Sequence, residues 1–355
     1  MAIHKINAKI ILYLTAFLFL IGASPASSSA LKDDETLILY KTQGYRSMGG
    51  DEWIIPIHCW VGELEEDSLL RAALITSIEE VVGEGWSASE RQLFEERIRP
   101  FMADDERGKE VSVEVGGVST SLGPSSPDGH IFGEAKLTVK SAGSAAILTA
   151  SSEGAKATVS LIPAYGVSVI SDIDDTIKIS NVSNKPELMK NTFFRPFSAV
   201  DGMSALYQGW KREGASFHYL SGSPWQLYQA LDDFINDNDF PVGAFYLKTI
   251  RFNPLHIAKL FDDPEDFKLR EIKKLFERYP LRKFILVGDS GEMDPEIYGE
   301  AARLYPDMVL SIFIRDVTGE GREAKRFLEA FKGVSSSRWE LFKVGHELLN
   351  KDIIY

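Results

Sequence analysis

Gly166-Val167-Ser168-Val169-Ile170-Ser171-Asp172-Ile173-Asp174-Asp175-Thr176-Ile177 is an apolar run that stops abruptly in Asp172, Asp174 and Thr176. Val167, Val169 and Ile170 predict a short buried strand, with the acidic residues at its carboxyl end. Open α/β sheets bind their ligands at that edge. Residues two apart in an extended segment face the same side, so Asp172 and Asp174 can share one crevice. Carboxylates crowded in this way raise each other's pKa unless a cation sits among them. The layout suits phosphoryl transfer to a carboxylate nucleophile. A calcium loop is excluded, because Ile177 and Ser183 stand where that loop needs Gly and Glu. An acidic turn without chemistry is the alternative.

From about Ala164 onward the pattern alternates between strand and helix, which predicts an α/β unit with a parallel sheet covered on both faces. Strands are expected at 167–172, 216–221, 243–247, 283–288 and 309–315. Helices are expected at 200–213, 223–237, 264–278, 294–304, 321–331 and 338–349. Three further stations join the first. In Phe217-His218-Tyr219-Leu220-Ser221-Gly222-Ser223-Pro224 a strand ends at Ser221, and Ser223 is expected to cap a helix opening at Pro224. Ser221 and nearby backbone N–H groups then make an anion site, or the segment is merely a capped helix start. Lys268 falls early in a helix marked by Pro264. A cation there opposes the helix dipole, so it calls for a bound phosphate or a nearby carboxylate. Finally, Phe284-Ile285-Leu286-Val287-Gly288 is a buried strand that delivers Asp289 to the same edge. Asp294 follows it just before Pro295, where a helix N-cap is an equally good reading.

Together these four stations resemble the haloacid dehalogenase superfamily of phosphatases. More narrowly they resemble the magnesium-dependent phosphatidate phosphatases first named from yeast actin patches, relatives of the lipins. The resemblance spans about 167–316. It rests on Ser171 to Lys178, Asn191 to Phe197, His218 to Trp225, and Gly288-Asp289-Ser290-Gly291 with Asp294 to Tyr298. It implies a Rossmann-like, doubly wound parallel sheet with a minimal cap. It also implies Asp172 as nucleophile and Asp174 as general acid and base, with Thr176 holding the turn that keeps Asp174 in place. Ser221, Gly222, Thr176 and Lys268 would bind the substrate, and Lys268 would share in catalysis by stabilising charge on the phosphoryl oxygens. Mg2+ would be held by Asp172, the Asp174 backbone carbonyl, Asp289 and Asp294. The implied substrate is phosphatidate or a related phospholipid at a membrane surface, and no protein partner is implied.

The short intervals between Asp172, Ser221 and Lys268 leave no room for a large cap domain. An uncapped site admits a head group presented at a bilayer. Phe193, Phe194, Pro196, Phe197 and Trp225 flank the motifs and either touch lipid or pack in the core. Two rival functions are the same chemistry on a soluble phosphomonoester or nucleotide, and a phosphatidate-binding module without catalysis. Such a module would lack the nucleophile or the acid, whereas Asp172 and Asp174 are both present.

Upstream, residues 31–163 predict a small β-rich accessory domain with a helical insertion. Strands are expected at 51–60, 111–115, 130–139, 145–150 and 156–162, and helices at 64–82 and 87–101. Ser87-Ala88-Ser89-Glu90 is a helix-start signal, and Pro127-Asp128-Gly129 a turn. The catalytic unit then occupies 164–355. Residues 1–30 carry His4, Lys5 and Lys9, an apolar run from Ile10 to Gly22 and small residues after it. That is the pattern of a secretory signal, with a retained anchor as the alternative. A periplasmic or secreted location follows from the first. The net charge of −13, with no basic block, argues against nucleic acid as a partner. Cys59 is the single cysteine, so no intramolecular disulfide forms. It reads as a packed thiol in a buried strand, with a His58–Cys59 metal site as the lesser reading.

Overall fold

The computed structural model describes residues 29–47, 52–63, 68–83, 85–138, 147–250, 265–349 and 351. The expected signal lies outside them up to residue 28, and so does Pro264. Two sheets organise the described residues. The N-terminal sheet contains β1 (Thr36–Leu39), β2 (Thr42–Arg46), β3 (Glu52–Glu63), β4 (Asp104–Asp105), β5 (Val111–Val115), β6 (Val118–Leu122), β7 (His130–Thr138), β8 (Ile147–Ser152) and β9 (Ala155–Leu161). Its main path runs β1-β3-β2-β9-β8-β5-β6, and β4 and β7 also pair with β3. Alternation decides the inward face. Trp53, Ile55, Ile57 and Cys59 of β3 meet Val111, Val113 and Val115 of β5 in one core. Cys59 is a buried free thiol there.

Helices α1 (Ser68–Val82) and α2 (Ala88–Ile98) form the insertion. Helix α2 opens with a capping box in which Ser87 and Glu90 satisfy each other's backbone N–H. The insertion does not pack on its own sheet alone. Leu74, Ile78, Phe94 and Ile98 share a core with Phe193, Phe194 and Met203 of the second unit.

The second sheet holds β10 (Val167–Ser171), β11 (Ser216–Pro224), β12 (Gly243–Lys248), β13 (Lys283–Asp289), β14 (Val309–Arg315) and β15 (Trp339–Phe342). All pairings are parallel, in the order β12-β11-β10-β13-β14-β15. Helices α3 (Lys185–Phe193), α4 (Met203–Arg212), α5 (Tyr228–Asp237), α6 (Glu265–Arg278), α7 (Asp294–Leu304) and α8 (Lys325–Ala330) connect the strands. Successive residues of β10 serve opposite faces. Val169 packs with α4 and α5, and Ile170 packs with α6 and α7. The sheet is therefore doubly wound. The order reverses between β10 and β13, and the carboxyl ends of those two strands flank the crevice where such sheets bind ligands.

Two expectations are corrected. The helix expected at 338–349 is instead strand β15, followed by a short 3-10 turn at Gly345–Leu348. Trp339 and Phe342 are both buried and lie three apart, a spacing that imitates one face of a helix. Their residues pair with Ile312 to Arg315, a long-range partner that local spacing cannot reveal. The helix expected from Ser223 does not begin there. Pro224 is extended at φ −77 and ψ 157, a 3-10 turn occupies Trp225–Leu227, and α5 starts at Tyr228. The fixed φ of proline suits a strand end as well as a helix start.

Candidate active site

Strand β10 delivers Asp172, whose N–H continues the ladder by donating to Val287 O at 2.8 Å. The chain then curls tightly. Asp175 takes a positive φ of 53, and its carboxylate accepts the N–H groups of Ser180, Asn181 and Val182 at 2.7–2.9 Å. This fastens the loop and turns the neighbouring carboxylates inward. Thr176 Oγ1 donates to Asp172 Oδ2 at 3.0 Å, so it holds the carboxylate of Asp172 rather than that of Asp174.

Strand β13 brings Asp289 alongside. Asp294, the first residue of α7, reaches back so that its Oδ2 accepts the Asp289 N–H at 3.1 Å. It caps nothing; Met293 holds the cap position with no side-chain bond. Lys268 on α6 is fully buried and donates to Asp172 at 2.9 Å, Asp294 at 2.7 Å and Glu292 at 2.8 Å. The compensation its place on the helix demanded is thus supplied by carboxylates.

Asp174 lies in a separate cage. Its Oδ1 sits 2.6 Å from the buried Lys178 ammonium and accepts Ser180 Oγ–H at 2.7 Å. Its Oδ2 accepts the hydroxyls of Ser221 at 3.1 Å and Ser223 at 3.0 Å. The β11–β12 pairing breaks between Leu220 and Pro224, and Ser221, Gly222 and Ser223 occupy the gap. Ser221 Oγ also accepts the Ser223 N–H at 3.0 Å. Both serines therefore face the acid, and neither caps a helix.

The two aspartates are electrostatically opposite. Burial pushes the Asp172 carboxyl well above its usual range; Lys268 pulls it back only in part, while Asp294, Glu292 and Asp289 push it further. Burial likewise raises Asp289, and Asp294 and Glu292 add to the shift. Glu292 is pushed up to about 7 by burial, against the pull of Lys268. Burial also works upward on Asp174, but the Lys178 ammonium and the hydroxyls of Ser180 and Ser223 prevail and hold it down at about 2.

Three carboxylates, those of Asp172, Glu292 and Asp294, thus share the Lys268 ammonium, and Asp289 joins two of them. One oxygen each of Asp172, Asp289 and Asp294 lie within 4.8 Å of one another. Asp289 Oδ2 is buried and has no hydrogen-bond partner. An orphaned carboxylate oxygen in an all-oxygen, net-negative cluster fits a hard divalent cation. The carboxylate of Asp174 is not in this group; only its backbone could contribute. The His58–Cys59 alternative is set aside. His58 Nε2 lies 2.9 Å from His130 Nδ1 in an aromatic cluster, and Cys59 packs in the sheet core.

Residues 167–316 match the family model described as phosphatidate phosphatase APP1, catalytic domain. The likeness is confined to this segment. Phosphatidate phosphatase APP1 of Saccharomyces cerevisiae is 35% identical over 155 residues, which cover 42% of this chain and 26% of that protein. An uncharacterized protein of Schizosaccharomyces pombe is 33% identical over 172 residues, covering 46% of this chain and 28% of its own. The chain therefore spans only about a quarter of the length of these curated relatives. A carbohydrate acetylesterase of Xanthomonas citri superposes with a TM-score of 0.27 at 9% identity, over 89% of this chain and 74% of its own, and that likeness carries no argument.

Within the family segment, sequence reasoning missed Glu292, Lys178, Ser180 and the orientation of Ser223. A signal for Lys178 was present: it stands four residues after Asp174 inside an apolar stretch, where a lone cation needs a partner. Glu292 carried no such mark. Of the flanking aromatics, Phe193, Phe194 and Phe197 are packing residues. Phe193 and Phe194 are buried in the core, and the half-buried Phe197 lies 3.8 Å beneath the Arg97 guanidinium.

Proposed function

We propose that this chain is a Mg2+-dependent phosphatidate phosphatase that releases phosphate and diacylglycerol through an aspartyl-phosphate. The observation that carries the proposal is the Asp172–Lys268 pair, set inside a carboxylate cluster with an orphaned oxygen, within the family segment.

The Asp172 carboxylate attacks phosphorus; a P–O bond forms to Asp172 as the bond to the diacylglycerol oxygen breaks. Asp174 protonates that departing oxygen, then takes a proton from the water that hydrolyses the aspartyl-phosphate. At about 2, Asp174 rests in its base form. A phosphomonoester dianion arriving beside it raises its proton affinity by like-charge repulsion, in the direction the first step needs. The Lys178 cage favours the ionised form that the second step needs. Ser221 and Lys268 bind phosphoryl oxygens as charge spreads over them. Asp172, Asp289, Asp294 and the Asp174 backbone carbonyl would hold Mg2+, which would supply positive charge to offset that on the phosphoryl oxygens.

The proposed setting is the periplasm or the exterior, after cleavage of the signal within residues 1–30; mass spectrometry of the exported protein should find a new N-terminus near Ser27 or Leu31. The test of activity is phosphate release by the purified full chain from phosphatidate, soluble phosphomonoesters and nucleotides, with and without Mg2+. Preference for phosphatidate, abolished by chelator, supports the proposal. Brisk nucleotide hydrolysis with none from phosphatidate would replace the lipid by a soluble ester.

A further inference from the structure

A groove of about 580 Å³ lies where the N-terminal sheet meets the edge strand β12 and helix α6. That is within the range of sites that bury small ligands. Its walls include Tyr40, Ile57, Trp225, Phe245, Leu247 and Phe267. At its rim stands Phe132, 66% exposed, its ring stacked on His58 at a centroid distance of 4.1 Å. Among the described lining residues, Lys41, Lys248, Arg270, Lys274 and Arg278 outnumber the carboxylates Glu134 and Glu271, although Lys41 is paired with Asp232 at 2.6 Å and Lys274 with Glu271 at 2.9 Å. This is a cationic surface on a chain of net charge −13.

The groove and the phosphoryl site draw on the same two chain segments. Phe267 is the immediate neighbour of Lys268, and Trp225 follows by two residues Ser223, whose hydroxyl lies 3.0 Å from Asp174. Its chemistry selects an apolar occupant. The cations beside an apolar trough suit a chain drawn from an anionic bilayer.

Resting on the phosphatidate phosphatase reading, we propose that this groove takes an acyl chain of the substrate while its phosphate lies at Asp172. The N-terminal sheet then supplies half of the lipid site, through Tyr40, Ile57 and Phe132.

The test compares kcat/KM for long-chain phosphatidate in mixed micelles with kcat/KM for nitrophenyl phosphate, which has no acyl chain. Phe132→Asp, at an exposed position, should lower the long-chain to nitrophenyl ratio about tenfold, the scale of a lost apolar contact in a substrate pocket. Lys274→Glu, also exposed, should lower it through weaker capture of anionic micelles. Unchanged ratios in both variants would overturn the proposal. A second assay needs no turnover: vesicles of phosphatidate brominated in mid-chain should quench the tryptophan fluorescence of the full-length Asp172→Asn protein, and Trp225→Phe should remove that quenching. If wild-type protein released phosphate from no ester, the catalytic reading would fail, and quenching would still decide the groove. Absence of quenching would overturn it.

Discussion

The carboxylate of Asp294 lies directly over Gly288, where a Cβ would stand only 2.3 Å from Asp294 Oδ2 and 2.7 Å from its Cβ and Cγ. Gly288 is thus required by close approach. Asp294 is pinned by α7 and by Lys268, so it cannot simply swing aside. Gly288→Ala should displace Asp294, deprive the Asp289 N–H of its acceptor, and weaken Mg2+ binding about 10- to 100-fold, as loss of a ligand's support commonly does. Calorimetric titration with Mg2+, with circular dichroism confirming the fold, checks this. An unchanged affinity would remove Asp294 from the metal site.

Asp289→Asn should separate stability from function. Asp289 is raised by burial and by the charges of Asp294 and Glu292, and its Oδ2 has no partner. A neutral amide relieves that repulsion. In chelator the variant should therefore be more stable than wild type by about 1–2 kcal/mol, the scale of a relieved buried charge. In saturating Mg2+ the order should reverse, because the ligand is lost. Thermal unfolding in both conditions decides it. A lower melting temperature in chelator would show that Asp289 stabilises the metal-free fold.

The chemistry was more legible in the sequence than the scaffold around it. Asp172, Asp289 and Lys268 could be placed because each breaks a local rule: two end apolar strands in charge, and one puts a cation early on a helix. Glu292 breaks none, as a carboxylate in a polar loop needs no explanation until Lys268 arrives from α6. Ser223 and Asp294 were ambiguous because a proline follows each, and a proline after a polar residue reads as a helix start. The parallel core was legible from its apolar runs. Strands β1 and β2 and the edge strand β15 were not, because such strands are fixed by distant partners: β2 by Val159 to Leu161, and β15 by Ile312 to Arg315.

Acid should destabilise the protein through its buried histidines. Burial lowers His58, His130 to about 4, and His218 to about 3. The unfolded chain takes up protons near pH 6.5 that these folded sites refuse. Stability from His130 is therefore full above about 6.5, falls as pH drops toward about 4, and is level below that, an effect of up to about 3 kcal/mol. Glu292 has the opposite sign: raised to about 7, it favours the folded state at low pH. The difference between wild type and His130→Asn isolates the histidine. Urea unfolding in chelator at pH 7 and pH 5 should show wild type losing more stability than the variant. Parallel losses would mean that His130 takes its proton within the fold.

Asp172 and Asp174 should fail in different ways, since one sits against Lys268 and the other in the Lys178 cage. Asp172→Asn removes the attacking oxyanion and should abolish the phosphoenzyme and turnover together. Asp174→Asn leaves the nucleophile and its Lys268 partner in place but removes the proton donor and the later base. With phosphatidate, both steps should slow by roughly 100-fold or more. With nitrophenyl phosphate the leaving group needs no proton, so the first step should proceed and the second stall. The Asp174→Asn phosphoenzyme should then accumulate on a carboxylate, visible by rapid-quench labelling. Phosphate trapped by Asp172→Asn and not by Asp174→Asn would reverse the two roles and move the nucleophile into the Lys178 cage.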